Sequence, residues 1–284
     1  NRGRISTESL RASDDLIFLS VHPNKDGSLL FENPRAFQGK GETTWEGLIK
    51  SVRGKVKGTK AKIRLGASSG EWKAMVADEV ARTTFAKNIK NVLEKNNLDG
   101  IDLDFEWAEN EKEYEDYSLA ILKMREVLGD KYLFSVSLHP VCYKISKKAI
   151  EAVDFISLQC YGPSPVRFPI EKYCSDIQMV LEYGIPKEKL VAGVPFYGVT
   201  KDNSKKTEAY FNFVQNGLVT SPAQNEVIYQ GDTYVFDGQD NIRIKTRYAK
   251  EQKLKGMMSW DLATDLPLND SRSLLKTMTE ELRK

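Results

Sequence analysis

The sequence predicts an α/β protein whose fold is a (β/α)8 barrel, a TIM barrel, with a small α+β insertion between strands 7 and 8. Seven short apolar runs recur along the 284 residues, and helical apolar repeats lie between most of them. Strands that alternate with helices form parallel sheets with right-handed crossovers, and one such barrel takes roughly 250 residues. No glycine-rich phosphate loop follows the first strand, which disfavours a doubly wound nucleotide-binding fold.

The predicted strands are rich in Val, Ile, Leu and Phe, as expected of strands that are buried on both faces. In chain order they are residues 16–21, 61–66, 100–105, 133–138, 153–161, 190–196 and 256–260. Residues 1–14 are polar and are predicted to form a loop and a short helix, so an eighth strand is missing from this count. The first barrel strand is either degenerate or lies before the first residue of this sequence.

Helical periodicity predicts three long helices between the strands. Their apolar faces run over residues 81–93, 114–128 and 170–181. Asp240 is predicted to cap a further helix that runs through Tyr248 to Leu254 and ends near Gly256. Residues 271–283 are predicted to form the closing helix.

The interval between the strand at residues 190–196 and the last predicted strand is about twice as long as a usual crossover of a parallel sheet. Within it, residues 227–229 and 233–236 flank a Gln-Gly-Asp turn like a β-hairpin. The sequence therefore predicts a barrel made of residues 1–198 and 255–284. It also predicts that residues 199–254 form the insertion lobe, followed by the helix that leads into strand 8.

Composition and charge narrow the function classes. Forty-two basic and 40 acidic residues give a net charge of +2, which gives no support for binding to nucleic acid or to a membrane surface. No run of ~18 apolar residues predicts a membrane span. Three cysteines do not make a disulfide framework, and the odd count leaves a free thiol. With two histidines, no His-rich metal site is expected, and no cofactor is predicted.

The most informative segment is the acidic strand at residues 98–107. Asp102, Asp104 and Glu106 alternate with apolar residues, so the three carboxylates share one face of a strand. In a parallel barrel this face lines the interior, with Glu106 nearest the C-terminal mouth, where barrel enzymes carry their chemistry. Neighbours on the face are ~6.5 Å apart, so the pKa of at least one carboxyl group should rise. A raised pKa suits general acid catalysis by Glu106.

Two other interpretations fit this strand. A surface strand can alternate acidic and apolar residues because it is half solvated. A calcium loop is the second alternative, with ligands at Asp102, Asp104, Glu106, Asn110 and Glu113. The sixth position of such a loop requires glycine for a sharp turn, and this chain has Trp107 there.

The strand also resembles a known family. Residues 99–106, Asp-Gly-Ile-Asp-Leu-Asp-Phe-Glu, match the D-G-x-D-x-D-x-E signature of glycoside hydrolase family 18, the chitinases and their relatives. Residues 156–161 resemble the family's sixth strand, and residues 190–198 resemble its seventh. Residues 234–265 resemble its C-terminal stretch, which ends in a strand that carries a tryptophan, here Trp260. The resemblance covers roughly residues 15–265.

This resemblance implies a retaining endo-glycosidase that hydrolyses β-1,4-linked N-acetylglucosamine, in chitin or chitooligosaccharides, by substrate-assisted catalysis. The nucleophile is then the substrate's own 2-acetamido oxygen. Glu106 would protonate the leaving oxygen and afterwards activate water. Asp104 would orient the acetamido group, and Asp102 would share a proton with Asp104. Tyr161 would donate a hydrogen bond to the acetamido carbonyl.

The resemblance also assigns sugar contacts and implies no metal. Trp260 would form the floor under the sugar, and Gln159 and Tyr197 would line the pocket. The alternative is that Trp260 is a core residue and that the other two fill the barrel. The sequence departs from the family pattern at three places. Residues 66–69, Gly-Ala-Ser-Ser, stand where the family has Ser-x-Gly-Gly. Gly162 stands where the family often has Asp or Asn, and Val199 stands where it often has Arg.

Other functions share parts of this pattern. An endo-β-N-acetylglucosaminidase that acts on N-glycan cores has the same catalytic strand. A non-catalytic chitinase-like lectin binds sugar without cutting it, and an unrelated barrel enzyme is the third alternative. We expect a monomer whose partner is an oligo- or polysaccharide that contains N-acetylglucosamine. The substrate class predicts an exported protein, secreted, periplasmic or at the cell surface.

Overall fold

The computed structural model describes residues 5–31 and 44–284. The chain divides into two compact units. The first unit is Ser13–Ile156, and the second unit combines Asn1–Ala12 with Ser157–Lys284.

Strands and helices alternate along most of the described chain, as the apolar pattern predicts. The strands are β1 (Asp15–Pro23), β2 (Leu29–Phe31), β3 (Lys62–Ser68), β4 (Gly100–Asp104), β5 (Leu133–Leu138), β6 (Phe155–Leu158), β7 (Leu190–Pro195), β8 (Tyr197–Thr200), β9 (Thr207–Ala209), β10 (Glu226–Tyr229), β11 (Asp232–Phe236) and β12 (Gly256–Trp260). The helices are α1 (Thr7–Arg11), α2 (Trp45–Lys55), α3 (Trp72–Ala77), α4 (Glu79–Lys95), α5 (Glu111–Leu128), α6 (Lys147–Ala152), α7 (Ile170–Tyr183), α8 (Tyr210–Gln215), α9 (Gln239–Glu251) and α10 (Leu274–Arg283).

Parallel strands form the centre of the first unit, in the order β5-β4-β3-β1. Strand β2 adds to β1 in the antiparallel sense. The register places Gly66 of β3 beside Asp102 of β4, and Asp102 beside Ser135 of β5. Residues that are paired in this way present their side chains on the same face of the sheet. The register therefore decides which side chains of β3 and β5 reach the carboxylates of β4.

The second unit pairs β7 with β12 in parallel and carries a separate antiparallel sheet in the order β10-β11-β8-β9. This small sheet is the predicted insertion between strands 7 and 8. Its hairpin turns at Gln230 and Gly231, which both have positive φ values, 51° and 87°. Such a two-residue turn matches the right-handed twist of the flanking strands.

Several strand and helix boundaries in the structure differ from the predicted ones. Strand β6 ends at Leu158 instead of Tyr161, because the Cys160 N–H donates to the Leu158 carbonyl at 3.0 Å and turns the chain. The prediction that Asp240 caps α9 is wrong, because Gly238 holds the capping position and Asp240 lies in the first turn. Helix α9 ends at Glu251 instead of Leu254, since Lys253 takes a left-handed conformation with φ of 58°.

The ends of the chain add three findings. Helix α1 confirms the short helix predicted within residues 1–14, of which residues 1–4 lie outside the described residues. The closing helix α10 begins at Leu274, three residues later than predicted, because Ser273 caps it. Among the helices of the described ranges, none has the length and apolar character that crossing a bilayer requires.

Candidate functional site

The seven candidate site residues divide between the two units. The three carboxylates, Asp102, Asp104 and Glu106, belong to the first unit. The other four belong to the second unit, and they are Gln159, Tyr161, Tyr197 and Trp260.

The carboxylates form a graded series along and just beyond β4. Asp102 is 2% exposed, Asp104 is half-buried and Glu106 is exposed. Strand β4 ends at Asp104, so Glu106 projects from the segment that follows the carboxyl end of the strand. The order of burial is the one expected when an acidic strand face runs from the interior of a parallel sheet to its C-terminal edge.

The alternate side chains of the same segment fix it in the unit. Ile101, Leu103 and Phe105 are all buried. The Phe105 ring stacks on Trp72 with centroids 5.6 Å apart, and it meets Tyr117 edge-on at 5.1 Å. Offset and edge-on contacts of this kind contribute about 0.5–1.5 kcal/mol each beyond burial. The apolar face therefore leaves the chain little freedom to turn the carboxylates away.

Asp102 is anchored by two serines of β5. The Ser135 hydroxyl donates to one of its carboxylate oxygens, and the Ser137 hydroxyl donates to the other at 2.8 Å. Burial raises the pKa of Asp102 above its usual value, while the nearby Arg64 charge and the two serine hydrogen bonds oppose that rise. Burial thus works against the charged form of Asp102, and its polar neighbours work for it.

Arg64, on β3, supplies the positive charge, and its side chain is fully buried. Its guanidinium donates to both oxygens of Asp15 at 2.6–3.0 Å, to the Ile101 carbonyl at 2.9 Å and to the Ser135 hydroxyl at 2.8 Å. The sequence prediction missed Arg64, Ser135 and Ser137. Their signal is polar residues at alternate positions of apolar strands, the same period of two that revealed the carboxylates.

The segment after the acid is held by the turn that follows β5. The Trp107 ring meets His139 with centroids 4.7 Å apart, and the Ala108 N–H donates to the Cys142 sulfur at 3.2 Å. Burial raises the pKa of the Cys142 thiol, and the negative charge of Glu106 adds to that rise. Glu106 therefore projects from a backbone that is tied to a second strand end.

The calcium-loop arrangement is not formed. Asn110 caps α5 by accepting the Glu113 N–H at 3.0 Å, and the Glu113 carboxylate accepts the Glu109 N–H at 2.8 Å. Glu113 also lies 3.3 Å from Lys73. Within residues 5–31 and 44–284, no group of three His, Cys, Asp or Glu side chains is arranged to hold a metal ion.

Gly66 occupies the position where the family pattern has serine. Its neighbour in the register is Leu19 of β1 on one side and Asp102 of β4 on the other. A Cβ atom added to Gly66 would lie 2.4 Å from the Leu19 Cδ2 atom. The leucine therefore fills the space that a side chain at position 66 would need.

In the second unit, the structure brings Tyr161 and Tyr197 together. Their rings meet edge-on with centroids 6.4 Å apart. The Tyr161 hydroxyl donates to the Met258 sulfur at 3.5 Å, and the Tyr197 hydroxyl donates to the Gly162 carbonyl at 3.1 Å. Gly162, a departure from the family pattern, thus contributes its backbone oxygen to the placement of Tyr197.

Trp260 and Gln159 differ in exposure. Trp260 ends β12 and is 39% exposed. Its backbone carbonyl accepts the Phe196 N–H at 2.8 Å, so the main chain is fixed while the indole keeps contact with solvent. Gln159 follows β6 and is buried. An exposed indole on a fixed strand end suits a stacking surface, whereas a buried glutamine is also compatible with barrel filling.

Comparison with known proteins identifies the fold. A chitinase from Bacteroides thetaiotaomicron superposes with a TM-score of 0.80 at 20% identity, covering 96% of this chain and 89% of that one. The chitinase-like agglutinin RobpsCRA from Robinia pseudoacacia superposes with a TM-score of 0.77 at 17% identity, covering 95% and 93%. The fold class is therefore the predicted (β/α)8 barrel of these proteins, with a small antiparallel sheet.

Sequence comparison identifies the family. Probable chitinase 2 of Drosophila melanogaster is 24% identical in an alignment of 261 positions that covers 69% of this chain and 54% of that protein. The chain spans about half the length of the curated relatives it matches first, 54% and 47%. Residues 9–265 match the family model for glycosyl hydrolases family 18. The predicted resemblance is thereby confirmed, and the chain belongs to glycosyl hydrolases family 18.

Proposed function

We propose that this chain is a chitinase-like endo-hydrolase of β-1,4-linked N-acetylglucosamine that works with retention of configuration. The observation that carries the proposal is the graded series of Asp102, Asp104 and Glu106 on one face of β4 and its extension. Family membership supports the reaction class. Chitin, chitooligosaccharides and N-glycan cores all contain the linkage that this chemistry needs.

Glu106 is assigned the roles of general acid and general base. It is the most exposed of the three carboxylates and lies nearest the open end of the strand, where a substrate oxygen can approach it. Hydrolysis first needs a proton on the leaving oxygen and then a base that activates water. A single carboxyl group performs both steps in retaining enzymes, because the first leaves it ionised for the second.

Asp104 and Asp102 are assigned to the substrate's acetamido group. In substrate-assisted retention the acetamido oxygen attacks the anomeric carbon, so the protein must orient that group and stabilise the positive charge it acquires. Asp104 is adjacent to Glu106 on the face and suits this role. Asp102, anchored by Ser135 and Ser137, balances the charge of Asp104 by sharing a proton with it.

The proposal also covers the preferred substrate, the location and the oligomeric state. Soluble chitooligosaccharides are the proposed substrates, and the protein is proposed to act as an exported monomer without a metal. Tyr161, Tyr197, Gln159 and Trp260 are assigned to sugar binding on the strength of the family resemblance, and each assignment is open to a substitution test.

The decisive experiment compares two substrates with one protein preparation. Products released from chitooligosaccharides and from a high-mannose glycoprotein are separated, and the anomeric configuration of the first product is read by proton NMR. We expect β-anomeric products from chitooligosaccharides. Release of an intact glycan from the glycoprotein alone would establish the N-glycan alternative. Sugar binding without any release would place the chain with the agglutinin that it resembles in fold.

A further inference from the structure

The buried guanidinium of Arg64 connects three strands of the first unit to the deepest candidate carboxylate. Arg64 and Asp102 lie on the same face of the sheet, because Arg64 pairs with Gly100 in the β3–β4 register. The guanidinium donates to Ser135, and the Ser135 hydroxyl in turn donates to Asp102. Both bonds run in the same direction, from the cation to the anion, so each polarises the other.

A buried cation at this place is costly unless something requires it. Strand β3 is otherwise apolar at its buried positions, with Ile63, Leu65 and Ala67. Removing a guanidinium from water costs several kcal/mol, and a well-packed apolar side chain would commonly serve stability as well or better. Asp15 pairs with the guanidinium but keeps 28% of its own side chain exposed, so Asp15 did not need a buried partner.

We propose that Arg64 is a positioning residue for the proposed hydrolysis: through Ser135 it holds the Asp102 carboxylate in place, and its positive charge favours the ionised form of that carboxylate against the effect of burial. The proton shared by Asp102 and Asp104 is thereby biased toward Asp104. The catalytic part of this inference rests on the proposed function. Its electrostatic part concerns the free protein and is testable without turnover.

The groups that face Asp102 decide the sign of every expected shift. Arg64 favours the charged form, and burial opposes it. Asp15, beyond the guanidinium, also disfavours the charged form because it is a second negative charge. The groups involved are Arg64 on β3, Asp15 on β1, Ser135 and Ser137 on β5, Tyr117 on α5, and Asp104 on β4 itself.

The first test removes or keeps the positive charge. In Arg64→Met, Asp102 loses a cation, so the carboxylate pair takes up its second proton at higher pH. We expect the acidic limb of the kcat/KM profile to move up by about one pH unit. Arg64→Lys keeps a cation, and its acidic limb should stay closer to that of the unsubstituted protein than the limb of Arg64→Met does.

The second test removes a negative charge near Asp102 instead of a positive one. Asp15→Asn removes the negative charge beyond Arg64, so the acidic limb should move down. Both substitutions break the same ion pair, and a purely structural role for the pair would lower the melting temperature in each without opposite shifts. Shifts in the same direction, or none in either variant, would overturn the proposal.

The third test compares the two serines. Ser135→Ala and Ser137→Ala each remove one hydrogen bond to Asp102, but only the first interrupts the connection to Arg64. In double-mutant cycles, the limb shift of Arg64→Met should be smaller in the Ser135→Ala background, where only the direct charge interaction of Arg64 with Asp102 remains, than in the Ser137→Ala background. Equal shifts in both backgrounds would show that Ser135 does not transmit the effect. Where Arg64→Met fails to fold, the sign of the shift in Asp15→Asn decides alone.

A measurement on the free protein separates this inference from the proposed function. The Asp102 carboxyl carbon is followed by 13C NMR across a pH titration and is assigned by its loss in Asp102→Asn. Its midpoint should rise in Arg64→Met and fall in Asp15→Asn whether or not the protein hydrolyses sugar. Absence of hydrolysis with these shifts present would refute the proposed function only. Unshifted midpoints in an active enzyme would refute the role of Arg64 only.

Discussion

The two units of this protein hold their candidate site residues by different means. In the first unit, Asp102 receives hydrogen bonds from two serines, one of which is bonded to a buried arginine. In the second unit, Tyr161 and Trp260 depend on ring packing, a contact to a methionine sulfur and a fixed main chain. The first arrangement controls charge, whereas the second controls the position of an aromatic surface.

The difference teaches what each kind of residue needs. A carboxyl group that exchanges protons works only if its neighbours set its pKa, so its surroundings are polar and closed. A ring that supports a sugar must keep one face available, so it is anchored through its backbone or its edge. Substitutions in the first unit should therefore alter the pH profile, and those in the second should alter affinity or rate at an unchanged pH profile.

The largest effect is expected at Glu106. Glu106→Gln keeps the shape of the side chain but cannot donate a proton of the required acidity, so hydrolysis of chitooligosaccharides should fall by about 10²–10⁴-fold. Sugar affinity, measured by calorimetry, should be kept. Glu109→Gln is the matched control, since it removes an equal charge three residues later, where Glu109 only pairs with Lys73 at the surface. More than a tenth of the original activity in Glu106→Gln would contradict the assignment.

The next largest effect is expected at Tyr161. Tyr161→Phe removes the hydroxyl that is assigned to the acetamido carbonyl, and kcat should fall by about 10²–10³-fold, as for the loss of one preorganised donor. The thiazoline analogue of N-acetylglucosamine should bind more weakly by a comparable factor.

Tyr173→Phe is the matched control for that change. The Tyr173 hydroxyl donates to the Met257 sulfur at 3.6 Å, much as the Tyr161 hydroxyl donates to Met258. Tyr173 is a buried residue of α7, and its substitution should leave both kcat and inhibition unchanged. Equal losses in the two variants would mean that the hydroxyl of Tyr161 has only a structural role.

A smaller effect is expected at Trp260. Trp260→Ala removes an indole that is already 39% exposed, so little packing is lost. We expect KM for chitooligosaccharides to rise about tenfold, or about 1.4 kcal/mol, with the pH profile unchanged. Tyr183→Ala, which removes a ring of α7 that is 42% exposed, serves as the control. A shifted pH profile in Trp260→Ala would break the distinction between the two units.

The smallest effect is one of stability. The pKa of Asp102 is raised, chiefly by burial, so this carboxyl group stabilises the fold at low pH and loses that contribution as the pH rises through its folded-state value. Asp102→Asn removes the charge. We expect its melting temperature at pH 7 to exceed that of the unsubstituted protein by a few degrees, about 2–4 °C for each kcal/mol. The difference should shrink toward pH 4, and a difference independent of pH would show that Asp102 is not the group responsible.

The carboxylate strand could be predicted from the sequence because its signal is local. A period of two within ten residues assigns Asp102, Asp104 and Glu106 to one face, and the observed burial agrees. The Arg64–Ser135–Asp102 chain of hydrogen bonds could not be predicted, because it depends on the register of three strands. Residues 64 and 135 are separated by 71 positions, and no local pattern aligns them.

The predicted ends of strands and helices were wrong where the conformation of a single residue decides them. Tyr161 was expected on a strand, but a turn at Cys160 ends β6 earlier, so Gln159 and Tyr161 follow the strand. Similarly, the left-handed conformation of Lys253 ends α9, and the sequence gives no warning because lysine rarely adopts it. The division of the chain into a barrel and a lobe at residues 199–254 stays a prediction.

The pairing of Leu19 with Gly66 couples two positions of neighbouring strands. Gly66 has no side chain and the end of the Leu19 side chain fills the adjacent volume, so a side chain at position 66 requires Leu19 to shift. Gly66→Ser would place its new atoms against the Leu19 Cδ2 atom, and Leu19→Ala would open that space. The double substitution would install a third hydroxyl at the position of β3 that pairs with Asp102, without displacing a leucine side chain. A conversion of this protein toward the family pattern should therefore change both positions together.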